Sequence, residues 1–198
     1  HLGASLGAVE LAVGIHYIFN SPKDVLVWDV GHQAYAHKIL TGRNQKFENI
    51  RQKNGISGFP KKSESEHDHF GTGHSSTSIS AVLGMALAKI QDGDNSQNIV
   101  VIGDGSLTGG MSFEALNHLA TTKANVLIII NDNEMSIDPN VGGLQNHLNN
   151  INPKNNYFTN LGLSYFGPFE GNQINEVLDK LKVQKEFVGP RVIHFKTQ

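Results

Sequence analysis

Short apolar runs rich in β-branched residues alternate along the chain with longer stretches of helical periodicity. The runs lie at 25–28, 99–102, 126–130, 163–166 and 192–195. Several are apolar at nearly every position, as strands buried on both faces must be. Between them the spacing predicts helices over 33–40, closed by Gly42, and over 76–91, 111–122 and 173–183. The apolar, small-residue opening HLGASLGAVELAVGIHYIF predicts a buried helix beginning near Ser5. Strand and helix in alternation specify an α/β domain: a parallel sheet with helices on both faces, in three layers. Two stretches follow neither period. Residues 51–72 are polar with interspersed Gly, and 145–160 carry Asn at 146, 149, 150, 152, 155, 156 and 160, so both are expected as loops and turns.

Parallel sheets bind ligands beyond the carboxyl ends of their strands. The stretches to search are therefore 29–32, 103–106 and 131–135, all rich in polar residues and Gly. The most informative is IVVIGDGSLTGGMSFEALNHL followed by NVLIIINDNEMS. The first strand delivers Asp104 to the ligand edge, where Gly103 and Gly105 are expected to allow a sharp turn and a close approach. The helix beyond would offer N–H groups and its dipole to a phosphate. The second strand ends in Asn131, Asp132 and Asn133, and Asn133 follows Asp104 by about thirty residues, the length of one βαβ unit. A carboxylate and an amide on adjacent strand ends suit magnesium, which takes few protein oxygens and completes its octahedron with phosphate oxygens. GDG alone is ordinary turn chemistry; its position between a buried strand and a helix gives it weight.

Composition narrows the field. With Lys+Arg 16 against Asp+Glu 18, the formal charge of -2 offers no footprint for nucleic acid or an anionic membrane surface. Cys 0 removes disulfides, thiolate metal sites and cysteine nucleophiles, and fits a reducing cytoplasm. No apolar run reaches the roughly 18 residues of a membrane span. His67, His69 and His74 invite a zinc hydrolase reading, but neither an HExxH helix nor a cysteine accompanies them. GTGHSS and GDGSLTGG invite a dinucleotide site, but neither gives GxGxxG after a strand with an acidic partner downstream. A module that binds a cofactor without catalysing anything stays open.

GDG followed at this distance by Asn resembles the metal–diphosphate motif of thiamine diphosphate enzymes. Four further strings, HLGASLGAVEL, WDVGHQAYAHKILTGR, GTGHSSTSIS and NDNEMSIDPNVGGL, resemble the 1-deoxy-D-xylulose-5-phosphate synthases, and together they span most of 3–144. The resemblance implies a transketolase-like fold with thiamine diphosphate and Mg2+ as cofactors. It implies a metal held by Asp104, the side chain of Asn133 and the carbonyl of Met135. Cofactor contacts would come from His32, Gly73, His74, Ser75, Gly105, Ser106 and Asn133, and catalytic roles would fall to His32 and to His1, near the substrate. Without the resemblance, His32 reads as a satisfied loop histidine, 73–75 as the start of a Ser-capped helix, and His16 and His118 as packing or surface residues. The implied reaction is a transfer in which pyruvate condenses with glyceraldehyde 3-phosphate and carbon dioxide leaves, the first step toward isoprenoids and toward thiamine and pyridoxal precursors. A cytoplasmic homodimer is implied as well. Another transketolase-like subunit is the alternative.

On this reading 1–198 is a single diphosphate-binding domain cut from a longer protein. The pyrimidine-binding and C-terminal domains are absent, and the chain is expected to be inactive alone. The irregular connection within 145–160 is short for the family at 149–156, and GPFEGNQ stands where a GPxDGHD-like string is usual.

Overall fold

Parallel pairing of the apolar runs builds one five-stranded sheet in the order β1-β2-β3-β5-β4. The strands are β1 (Val25–Trp28), β2 (Asn98–Gly103), β3 (Val126–Asp132), β4 (Ser164–Glu170) and β5 (Arg191–Lys196). The structure, a computed structural model, describes residues 2–135 and 140–198. Its helices are α1 (Leu2–Leu6), α2 (Val9–Ile18), α3 (Tyr35–Lys38), α4 (Ser78–Gln91), α5 (Asp104–Leu107), α6 (Gly110–Ala120), α7 (Gly143–Asn149), α8 (Tyr157–Leu161) and α9 (Ile174–Glu186). Among the described residues no helix is long and apolar enough to cross a membrane.

Alternation along each strand sends side chains to two cores, one on each face. Val27, Val100, Ile102, Ile128 and Val192 pack with Ile79 and Val82 of α4, Leu116 of α6 and Phe158 of α8. Leu26, Ile99, Val101, Ile129 and Ile193 pack with Leu11 and Ile15 of α2 and with Val177 and Leu181 of α9. The sheet is thus covered on both sides, as parallel pairing requires, and its carboxyl edge is left for loops.

Three expectations change. The opening helix is two, α1 and α2, separated at Gly7 and Ala8. The 145–160 segment is not all loop: α7 ends in it and α8 begins in it, because its asparagines act as caps as well as turns. The Asn156 side chain accepts from the N–H groups of Phe158 and Thr159, and the Thr159 hydroxyl accepts from the Asn156 N–H, which seats Phe158 in the core. The fourth strand runs on to Glu170 through Pro168, with its register shifted between Phe166 and Phe169. An edge strand tolerates this.

Residues 51–72 hold neither helix nor strand, as expected, and buried charge ties them to the body. Asp68 accepts from Arg43 Nη1 at 2.5 Å and Nη2 at 3.0 Å, from the Lys61 N–H at 2.7 Å, and pairs with His37 Nε2 at 2.9 Å. His37 Nδ1 lies 2.8 Å from His16 Nε2. An ionised carboxylate only accepts, so His37 donates from Nε2 and takes a proton from His16 at Nδ1, with both rings neutral. Burial pushes both rings down, His16 from its ordinary 6.5 to about 4. A histidine lowered on folding contributes stability above its unfolded pKa and loses it as pH falls toward the folded one. Between pH 7 and pH 5 the wild type should therefore lose more thermal stability than His16→Gln, which keeps an N–H donor and cannot titrate. Parallel melting curves for the two would show that this pair is not an acid-labile fastening.

Candidate functional site

The carboxyl ends of β1, β2 and β3 open together on a cleft of ≈ 570 Å³ whose walls include His32, Ser75, Asp104, Gly105, Ser106 and Met135. Backbone strain gathers around it. Val30 after β1 (φ 56), Ser76 before α4 (φ 70) and Glu134 after β3 (φ 60) all hold left-handed conformations that a β-carbon disfavours. Such conformations persist where surrounding structure over-determines them.

Asp29 supplies much of that determination. Its buried carboxylate accepts from the N–H of Ser76 at 2.8 Å and from the N–H and hydroxyl of Ser78 at 3.1 Å and 2.5 Å. The start of α4 is capped by this side chain from the turn after β1, and no side chain of its own cap residue takes part. The expected serine cap is corrected accordingly: the serines are donors, and the acceptor is Asp29. Ser76 also donates its hydroxyl to the Ser106 carbonyl at 2.7 Å, and Ser112 donates to the same oxygen at 3.1 Å. Gly109 faces the Ser76 hydroxyl so closely that a β-carbon there would collide with it. The 73–78 turn and the 104–109 turn are thereby locked together.

The turn at GDG does not draw on the left-handed conformations open to glycine. Neither Gly103 nor Gly105 has positive φ, and a β-carbon on Gly103 would meet nothing nearer than the Asn131 carbonyl at 3.9 Å. The residue that needs its freedom is Gly31 (φ 93), where a β-carbon would strike Thr72 and Pro60. Nor does a long helix follow directly. The four-residue α5 intervenes, so little dipole is aimed at the cleft.

Asp104 is buried against Asp132, and its Oδ2 accepts from Asn140 Nδ2 at 2.6 Å. Burial, reinforced by the Asp132 charge, outweighs the Asn140 bond and pushes the Asp104 carboxyl well above the ordinary range. Asp132 moves the other way. Against the upward push of burial, its bond to His194 and the Glu134 N–H hold it low, so Asp104 carries the proton of the pair. Asp132 Oδ2 is 2.9 Å from His194 Nε2, and His194 Nδ1 is 2.8 Å from the Tyr165 hydroxyl.

Asn133 accepts from the Met135 N–H at 3.1 Å, a turn that brings Met135 round to the cleft wall. Gly73 and His74 are exposed at the approach to α4 and do not line the cleft. His1 lies outside the described residues. Burial lowers the His32 imidazole, with the Asp29 charge opposing, so the ring is neutral at pH 7. Ser5 fixes its backbone by donating to the His32 carbonyl at 2.8 Å. Sequence reasoning put Asp29 and Asp132 at the ligand edge without giving them a role, and missed Ser76, Asn140, Tyr165 and His194; a polar side chain inside the apolar run of β5 was the one signal for the last.

The zinc reading finds no support. His67 bonds the Ser21 hydroxyl at 2.9 Å, and His69 bonds the Pro22 carbonyl at 2.8 Å and the Leu26 N–H at 3.3 Å. Among the described residues no three His, Cys, Asp or Glu side chains converge on a cation position.

Comparison with known proteins gives a consistent result. A family model described as 1-deoxy-D-xylulose-5-phosphate synthase matches residues 1–158 and 151–197. The enzyme of that name from Cytophaga hutchinsonii is 47% identical over 236 residues, covering 98% of this chain and 37% of its own length. That from Francisella philomiragia is 48% identical over 235 residues, covering 100% of this chain and 38% of its own. The chain thus spans well under half the length of the relatives it matches. Among solved structures, a transketolase variant from Pichia stipitis superposes with a TM-score of 0.80 at 20% identity, over 97% of this chain and 32% of that one. Transketolase from Campylobacter jejuni gives 0.77 at 22%, over 96% and 32%. The fold is the transketolase-like α/β fold.

Proposed function

Because the chain belongs to the 1-deoxy-D-xylulose-5-phosphate synthase family, we propose that its strand-end cleft holds thiamine diphosphate through Mg2+ and serves the condensation of pyruvate with glyceraldehyde 3-phosphate, with loss of carbon dioxide. The observation that carries this reading is the meeting of two buried carboxylates, Asp104 and Asp132, where the cleft is also walled by Met135, Gly105 and Ser106. Like charges driven together out of water favour a hard cation, and magnesium then prefers phosphate oxygens to further protein ligands.

In this reading Asp104, the Asn133 amide and the Met135 carbonyl hold the metal. Gly105, Ser106 and Ser75 contact the diphosphate from the cleft wall, Gly73 and His74 contact it from the exposed approach to α4, and His32 is the catalytic residue on the β1 side. A neutral His32 can take a proton as well as give one, which its lowered pKa supports. When bound, thiamine diphosphate supplies a nucleophilic carbon that makes decarboxylation of a 2-oxo acid accessible. The chain's own part is orientation and charge. His1, which the family resemblance puts near the substrate, is retained as a second catalytic residue. The compartment we assign is a reducing cytoplasm, which a sequence with Cys 0 suits. The assembly we assign is a homodimer, and sedimentation velocity measures it.

Calorimetry of thiamine diphosphate binding tests the reading directly. Binding is expected in Mg2+ and not in EDTA. Equal affinity in both would remove the metal from the proposal, and no binding in either would remove the cofactor.

A further inference from the structure

Tyr165 and His194 are buried on β4 and β5, do not line the cleft, and nevertheless end a continuous chain of hydrogen bonds at the pair of carboxylates beside it. We infer that His194, oriented by Tyr165, is a positioning residue for the cation: it fixes the Asp132 carboxylate beside Asp104 and so sets how tightly the site holds a divalent metal. The inference rests on the metal reading above and adds to it residues that touch neither metal nor cofactor.

The bond directions leave little freedom. Asp132 as a carboxylate accepts only, so His194 donates to it from Nε2, and the other ring nitrogen, Nδ1, pairs with the Tyr165 hydroxyl. Tyr165 in turn is held flat against Phe158, with ring centroids 5.7 Å apart and planes within 3°. At the other end both oxygens of Asp132 are engaged, Oδ2 by His194 and Oδ1 by the Glu134 N–H at 3.1 Å. Its backbone is pinned as well, since the Asp132 carbonyl accepts from the Thr197 N–H at 2.8 Å. A side chain anchored at both oxygens and at its carbonyl cannot swing away from Asp104. The negative charge is kept where a cation would be drawn to it.

A buried hydrogen-bonded trio that served stability alone would make a different demand. It would tolerate an apolar ring of similar volume at His194, losing some stability and leaving metal affinity alone. Outer residues that orient a metal's surroundings instead change affinity, typically 10–100-fold on substitution.

The experiment titrates Mn2+ into the protein, with and without thiamine diphosphate, and follows free and bound ion by electron paramagnetic resonance. Thermal melting of each apo variant reports the fold. His194→Phe is expected to weaken Mn2+ binding by roughly 10-fold or more. Tyr165→Phe should produce a smaller loss in the same direction. His194→Gln, which keeps an amide donor near the position of Nε2, should recover most of the affinity. Wild-type affinity in a folded His194→Phe protein overturns the inference and leaves the metal reading standing. Should that variant fail to melt cooperatively, wild-type affinity in Tyr165→Phe, or a loss in His194→Gln as deep as in His194→Ala, overturns it equally. Absence of Mn2+ binding by the wild type sinks the metal reading and this inference with it.

Discussion

Asp104→Ala is expected to abolish magnesium-dependent binding of thiamine diphosphate while leaving a cooperative fold that is no less stable at neutral pH. The side chain lies at a strand end and not in either core, so its loss opens little apolar volume. Its carboxyl is raised by burial and by Asp132, so between the ordinary carboxylate pKa of about 3.9 and the raised value the folded state binds a proton that the unfolded state has released. The apo wild type therefore loses stability from this group as pH rises through that window. A divalent cation takes the proton's place, and Mg2+ affinity should climb with pH over the same range. Asp104→Ala has no such dependence. Asn133→Ala should also lose binding, since an amide oxygen is removed. Calorimetry across pH decides, and unchanged affinity in both variants would remove these two residues from the site.

The largest effect on stability is expected at Asp68, remote from the cleft. Asp68→Ala strands the buried Arg43 guanidinium and the Lys61 N–H, and breaking a buried ion pair on one side costs about 3–5 kcal/mol. The melting midpoint should fall by roughly 10 °C in a domain of this size. Replacing both partners, Arg43→Met with Asp68→Leu, should restore much of the loss, because the penalty belongs to the charge left behind. Urea melts of the wild type and the two variants measure it. A loss below about 1 kcal/mol in Asp68→Ala would mean that the pair is effectively solvated.

How much of this could be read from sequence follows from the range of each interaction. The strands were legible because burial on both faces leaves a local mark, and the ligand edge because each run breaks into Gly and polar residues. Asp104 and Asn133 came from one βαβ spacing. The cap on α4 was illegible, since its acceptor, Asp29, is 47 residues before Ser76, and a serine beside a helix start looks the same whether it accepts or donates. The partnership of Asp132, His194 and Tyr165 depends on β5 lying between β3 and β4, a strand order that no local pattern records. GDG was read through its glycines, whereas the close approaches occur at Gly31 and Gly109, facing side chains far away in sequence. The asparagine-rich segment misled because the residue that favours a turn is also the one that caps a helix.

The Asp29 and Ser76 bonds have a consequence for anyone hoping to transplant the cradle. Asp29 from the turn after β1, Ser76 from the approach to α4 and Ser106 from α5 hold one another, so no single motif carries its own shape. A GHSSTS string grafted onto another parallel sheet would arrive without the acid that caps it and without the carbonyl that takes its hydroxyl. GDGSLTGG would arrive without the serine that Gly109 makes room for. The unit of inheritance is three loops and two strands, and homologues should exchange them together or not at all.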